Sequence, residues 1–402
     1  MINITKEAKK IQKKIIKWRR DLHQIPEVGL ILPRTEAYVQ KRLREMDIEI
    51  KEFNRCSGIA GLIKGKKNIN TIALRADMDA LPIKEETGLA FASTNNNMHA
   101  CGHDAHMAIL LGAAQILKEH KDELLGSIKL IFQPGEEKMG GAKIMVEEGV
   151  LNEPKVDAIL GLHVGNFIED IKNGQIGVSY GVFMASIDRF LVKIKGKGCH
   201  GATPHKGIDP ITMTAQVINA FQLILSREIK ATKPAVISIG RLSGGSSYNI
   251  IPDIVEFEGT VRTTDNDVRK KIPLRMKEII SCITKGMNGD FEFDYIFGYP
   301  PVANDLKVTK MFIETAKNIV GKKNVIELSE PTMVGEDMSY YLEKVPGTYF
   351  FLRSVPKGEI YPHHNSKFNI DESILWKGAA LLAQGAIDLL KKFEFENLKQ
   401  GR

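Results

Sequence analysis

The stretch NINTIALRADMD, Asn68 to Asp79, is apolar through its middle and ends on two carboxylates, Asp77 and Asp79. A short continuous apolar run bounded by polar residues reads as a strand buried on both faces, the usual state of a parallel strand covered by helices. Working outward, SIKLIFQPGEE (127–137) and VDAILGLHV (156–164) repeat the pattern. Between them, the run AHMAILLGAAQILKEH that follows Asp104 and the segment GGAKIMVEEGVL (140–151) have helical spacing, with Asp104 expected to cap the first of these helices. Residues 3–22 and 34–46 also read as helices. Strands alternating with helices predict an α/β domain with a mostly parallel sheet.

The pattern changes near residue 181. RFLVKIKG, a helix over 208–228, AVISIGRL, IVEFEGTVR, a helix over 266–285 and FEFDYIF follow in the order βαββαβ, a ferredoxin-like unit. The chain then returns to helix, strand (GTYFFLR), a histidine-rich loop and the long helix ILWKGAALLAQGAIDLLKKF. Residues 1–180 and 298–402 therefore form one discontinuous domain, and 181–297 a smaller one inserted into it. The length agrees, because single cores stop growing at about 250–300 residues and this chain has 402.

Composition narrows the function classes. Fifty-six Lys and Arg against 49 Asp and Glu give a net charge of +7. The basic runs, such as KEAKKIQKKIIKWRR, lack interleaved aromatics and read as solvated helix faces, so no nucleic-acid partner is expected. Cys56, Cys101, Cys199 and Cys282 form no CxxC pair, and neither a signal peptide nor about 18 uninterrupted apolar residues is evident. These features predict a cytoplasmic protein with free thiols and no membrane partner.

In α/β sheets ligands bind beyond the carboxyl ends of the strands. There the sequence places Asp77 and Asp79, then Cys101, His103 and Asp104 at a helix start, then Glu136 and Glu137, then His163. Cys101 and His103 would point about 200° apart on a helix, so they can share a ligand only from a turn. Glu136 and Glu137 diverge, which suits one to a metal and the other to general-base work. The thiol, imidazoles and carboxylates together suit zinc, manganese, cobalt or nickel better than magnesium or calcium. A cysteine nucleophile with His103 or His106 as base is the competing reading, although it leaves the glutamate pair without a task.

RRDLHQIPE, RADMDALP, HACGHDAH, QPGEE, GLHV, CHGATPHKGIDP, NIIPD, GEDMSYY and HHNSKF occur in order from residue 19 to residue 368. In these motifs the chain resembles the aminoacylase and carboxypeptidase G family of co-catalytic metallopeptidases, in the branch of hippurate hydrolases, N-acetyldiaminopimelate deacetylases and auxin-conjugate amidohydrolases. The resemblance implies a zinc-peptidase-like catalytic domain whose insert serves as lid and dimerisation domain of a homodimer. It implies two divalent ions held by Cys101, His103, Glu137, His163 and His364, with Glu136 as general base and Asp77 orienting a ligand. It also implies that His200 stabilises the oxyanion across the dimer and that Asn249 and Arg262 grip a substrate carboxylate. One departure is Arg75-Ala76-Asp77, where the wider family has His-x-Asp. The activity implied is hydrolysis of N-acyl-L-amino acids or short peptides with a free carboxylate. A dipeptidase, a carboxypeptidase or an inactive binding homologue remain the alternatives.

Overall fold

A computed structural model of the protein describes residues 2–67, 69–138 and 140–399; Asn68, the first residue of the opening stretch, lies outside them. The chain forms two compact units, one of residues 1–181, 303–330 and 337–402, the other of Val182–Val302 with Pro331–Glu336. The principal strands in chain order are β1 (Glu49–Glu52), β2 (Ile59–Ile63), β3 (Thr71–Asp77), β4 (Ser127–Gln133), β5 (Ala158–Gly165) and β6 (Ile176–Val178). They continue with β7 (Asp188–Lys195), β8 (Ala235–Gly244), β9 (Ile254–Thr263), β10 (Asp290–Phe297), β11 (Val325–Glu327) and β12 (Gly347–Arg353).

The first unit is built on a sheet of order β1-β2-β4-β3-β5-β12-β6-β11 among the described residues. Its centre, β4-β3-β5-β12, is parallel, whereas β1/β2, β2/β4 and β6/β12 pair antiparallel. Every residue of β3, β4 and β5 is buried, which is why their sequences run apolar without alternation. Helices His103–Glu119 and Leu375–Lys399 pack on one another and on β3. The register sets Asp77 level with Gln133, and His163 level with Phe351. The architecture is the expected α/β fold with a large, mostly parallel sheet.

The C-terminal helix matches a membrane span in length and composition over Glu372–Glu394, but 72% of its apolar window is buried within the fold. It is a core helix, and its small residues allow close packing: a Cβ on Gly378 would meet Ile109 at 2.8 Å.

The second unit carries an antiparallel sheet of order β8-β9-β7-β10, with helices Pro210–Leu223 and Asn266–Gly286. Its strand β7 alternates buried and more exposed residues, as expected of a sheet with one face on a core. Asp209 and Asp265 cap the two helices through their side chains, the first helped by Pro210. The segment Pro331–Glu336, which the order of elements assigns to the host domain, belongs to this unit. Thr332 donates from its backbone nitrogen to Phe183 O and accepts from Ala185 N, both at 3.0 Å.

Local differences from the sequence reading have simple causes. The expected helix over 3–22 is two helices, Ile4–Lys10 and Gln12–His23, interrupted at Ile11. Strands β1 and β6 escape notice because they are only four and three residues long. The helix expected over 208–228 ends at Leu223 and continues as a π turn, Ile224–Glu228.

Candidate metal and catalytic site

The carboxyl ends of β3, β4 and β5 bring the sequence-predicted residues of the first unit together. Gly102, in the left-handed region at φ 90°, separates Cys101 from the helix that begins at His103. This turn lets thiol and imidazole face one pocket, as their two-residue spacing requires. Cys101 Sγ lies 3.5 Å from His163 Nε2. His163 Nδ1 donates to Val164 O at 2.9 Å, which leaves Nε2 to face the Cys101 thiol. His103 Nδ1 likewise donates to Asp79 O at 2.9 Å, and its Nε2 is buried without a hydrogen-bond partner among the described residues. Two imidazoles fixed through Nδ1, with their Nε2 atoms turned toward the thiol or left unpaired, are prepared for a cation.

The QPGEE turn supplies the acids. Asp79 holds it in place, its carboxylate accepting from Glu136 N and Glu137 N at 3.0 Å each. The carboxylates of Glu136 and Glu137 and a ring nitrogen of His103 lie within 4.8 Å of one another. Cys101, Glu137 and His364 form another such group, and Cys101, His103 and His163 a third. His364 Nε2 is 3.2 Å from Glu137 Oε1, with its side chain 51% exposed. Cys101 is common to two of these ligand groups.

Neighbouring His363 is directed elsewhere. Its ring stacks on Phe167 at 3.8 Å, and its Nε2 accepts from Asn166 N at 3.0 Å. Gly165, at φ 136°, has no room for a side chain, since a Cβ would stand 2.2 Å from His363 Nε2. Gly165→Ala is therefore expected to cost about 1–3 kcal/mol and to displace His363 with the adjoining His364. A thermal melt together with metal stoichiometry checks both effects.

Burial and charge give the pocket its chemistry. Burial, reinforced by Glu137, Glu136 and Asp77, pushes the Cys101 thiol well above its ordinary range. Burial and the surrounding carboxylates thus outweigh any stabilisation of a thiolate by the helix start, and the thiolate needs a cation beside it. A cysteine nucleophile needs the opposite shift. Burial opposes charge on His103, but Asp77, Asp79 and Glu137 overcome it and raise the ring to about 10. The field thus favours positive charge at His103 Nε2, and a thiol, imidazoles and a carboxylate are a donor set that fits a borderline divalent ion.

Asp77 accepts from His106 Nδ1 at 2.5 Å and from Arg75 at 2.8 Å. Its Oδ2 lies 3.8 Å from His103 Nε2. His106, to which the metal-site reading gives no role, accepts through Nε2 from Val164 N at 2.8 Å and so bridges β3 to β5. The helical i, i+3 spacing from His103 was its available signal. Asp104 is not the N-cap, which is Gly102, although its Oδ1 accepts from Ala105 N in the first turn at 2.9 Å. It is fully buried and paired with Arg19 Nε and His23 Nδ1, each at 2.7 Å, so Arg19 is not part of a solvated basic face.

His200, Asn249 and Arg262 lie in the second unit. Gly201 N donates to Asn249 O at 2.8 Å, joining the segments that carry His200 and Asn249. Ala202 N donates to His200 Nδ1 at 3.1 Å, which puts the proton on Nε2 of the neutral ring. Arg262 is half-buried and donates to Met333 O at 3.4 Å. No carboxylate pairs with it among the described residues.

The sequence profile described as Peptidase family M20/M25/M40 matches residues 73–387. The chain is 41% identical over 385 residues to the N-acetyl-L-cysteine deacetylase of Bacillus subtilis, covering 96% of this chain and 90% of the relative. It is also 41% identical over 387 residues to thermostable carboxypeptidase 1 of Saccharolobus solfataricus, covering 94% and 96%. The crystal structure of the Bacillus subtilis YXEP protein, described as a dinuclear metal-binding peptidase of the M20 family, superposes with a TM-score of 0.82 at 36% identity, covering 95% of this chain and 99% of that one. With the motifs, the sheet and the ligand pocket in agreement, the chain belongs to peptidase family M20/M25/M40, a family of metallopeptidases and related amidohydrolases.

Proposed function

We propose that this protein hydrolyses N-acyl-L-amino acids that have a free carboxylate. The observation that carries the reading is a buried carboxylate, Glu136, set beside a pocket that gathers imidazole nitrogens, a thiol and a second carboxylate. Cys101, His103, Glu137, His163 and His364 would hold two divalent ions of zinc, manganese, cobalt or nickel. Such ions supply Lewis acidity and lower the pKa of water.

The chain's own groups then have distinct tasks. Glu136 takes the proton of the attacking water and delivers it to the leaving amine, its position fixed by the hydrogen bond from its backbone to Asp79. Asp77 orients the ligand helix through His106. His200, with its proton on Nε2, is suited to donate to an oxyanion, and we assign it that role across a homodimer. The uncompensated guanidinium of Arg262 and the amide of Asn249 suit a substrate carboxylate.

Dimerisation through the second unit, acting as a lid, is supported by its edge strand Ala235–Gly244. This strand exposes Val236 and Leu242, and an unprotected sheet edge is a surface for pairing. Four unpaired cysteines support a reducing compartment, which we take to be the cytoplasm.

A second reading, carboxypeptidase or dipeptidase activity, is favoured by the identity to the Saccharolobus enzyme. A hydrolysis screen on metal-reconstituted protein separates the two. N-acetyl and N-benzoyl amino acids should release amine faster than dipeptides; the reverse order selects the peptidase. No turnover on the whole panel would leave a binding protein.

A further inference from the structure

Arg75 is 2% exposed and its guanidinium is engaged in three directions. Nη1 donates to Asp77 Oδ2 at 2.8 Å, Nη2 to Asp337 Oδ1 at 2.7 Å, and Nε to Gln133 Oε1 at 2.9 Å. The struts are themselves braced. Gln133 Nε2 donates to Asp337 Oδ2 at 2.8 Å, and Ala142 N donates to the same oxygen at 3.0 Å. A planar fork with fixed donors is what such a three-way anchorage demands; a lysine could not replace it.

The oxygen that Arg75 holds is the one nearest the ligand pocket. Asp77 Oδ2 lies 3.8 Å from the bare His103 Nε2, and Asp77, His103 and His106 offer atoms close enough together to hold a cation. Asp77 Oδ1 is taken by His106 at 2.5 Å. Without Arg75, Asp77 would be an anionic ligand facing the pocket.

We infer that Arg75 is a positioning residue that withholds Asp77 from the metal, leaving coordination to the thiol, the imidazoles and Glu137. This rests on the metal-site reading above and adds to it a determinant of ion selectivity. Turned toward Glu136 and His103, the free Asp77 oxygen would add a hard donor and a full negative charge. Ions that favour oxygen, manganese above zinc, would benefit most.

The test uses the full-length chain, stripped with chelator and titrated with Mn²⁺ and separately with Zn²⁺ by competition with an indicator chelator. Arg75→Gln is expected to bind Mn²⁺ about tenfold more tightly than wild type, with a smaller gain for Zn²⁺. Adding Asp77→Asn should abolish the gain. A purely structural role for Arg75 predicts the opposite sign, weaker binding of both ions. If Arg75→Gln does not fold, Arg75→Gln/Asp337→Asn preserves the net charge of the buried network and is read in the same way. Unchanged or weaker Mn²⁺ binding in a folded variant, or a gain that survives Asp77→Asn, overturns the inference. Wild-type protein that binds neither ion would instead overturn the metal-site reading.

Discussion

Glu136→Gln is expected to lower kcat by about a thousandfold to ten-thousandfold while leaving the bound metal unchanged. The amide has nearly the same shape as the carboxylate, and the backbone bond to Asp79 that places residue 136 does not involve the side chain. What is lost is a group that can take a proton. The metal groups that involve Cys101 do not include Glu136, so metal content by elemental analysis should match wild type. Turnover retained in the variant would remove Glu136 from the mechanism, and loss of metal would make it a ligand instead.

The second large effect concerns Cys101. Cys101→Ala removes the atom common to the Cys101/His103/His163 and Cys101/Glu137/His364 groups, so both ions should be lost and turnover should vanish. Stability should fall as well, because ions present at a thousand times their Kd contribute about 4 kcal/mol to the folded state. The control is chemical. A chelator should inactivate wild-type protein, and manganese, cobalt or zinc should restore it, whereas a thiol nucleophile would be indifferent to chelation. Thermal melts with and without metal should differ for wild type and coincide for Cys101→Ala.

The sequence made the main sheet and most of the pocket legible because burial on both faces leaves a plain record. β3, β4 and β5 are mostly apolar and give way to polar residues at their carboxyl ends, so Asp77, Glu136 and His163 could be placed at one edge from pattern alone. Residues that act through others left no such record. Arg75 reads as one charge in an apolar strand, and nothing local shows that it joins Asp77 to Asp337 across 260 positions of sequence. Asp104 looked like a helix cap because aspartate is common there, but its partners, Arg19 and His23, lie in a helix whose other positions are lysine-rich. The return of Pro331–Glu336 to the second unit is a backbone pairing, and side-chain patterns do not encode it.

The pairing of β12 with β5 has a consequence for how the protein is made. Strand β5 ends at Gly165, and the strand that lies beside it, residue for residue, begins at Gly347. Roughly 180 residues must be translated between them, about ten to forty seconds at typical rates of synthesis. Through that interval β5 presents an unpaired apolar edge on the ribosome, and His364 has not yet been synthesised. The nascent chain must keep this half-finished sheet from aggregating, and the pocket where Cys101, Glu137 and His364 meet cannot be complete until about nine-tenths of the polypeptide has been made.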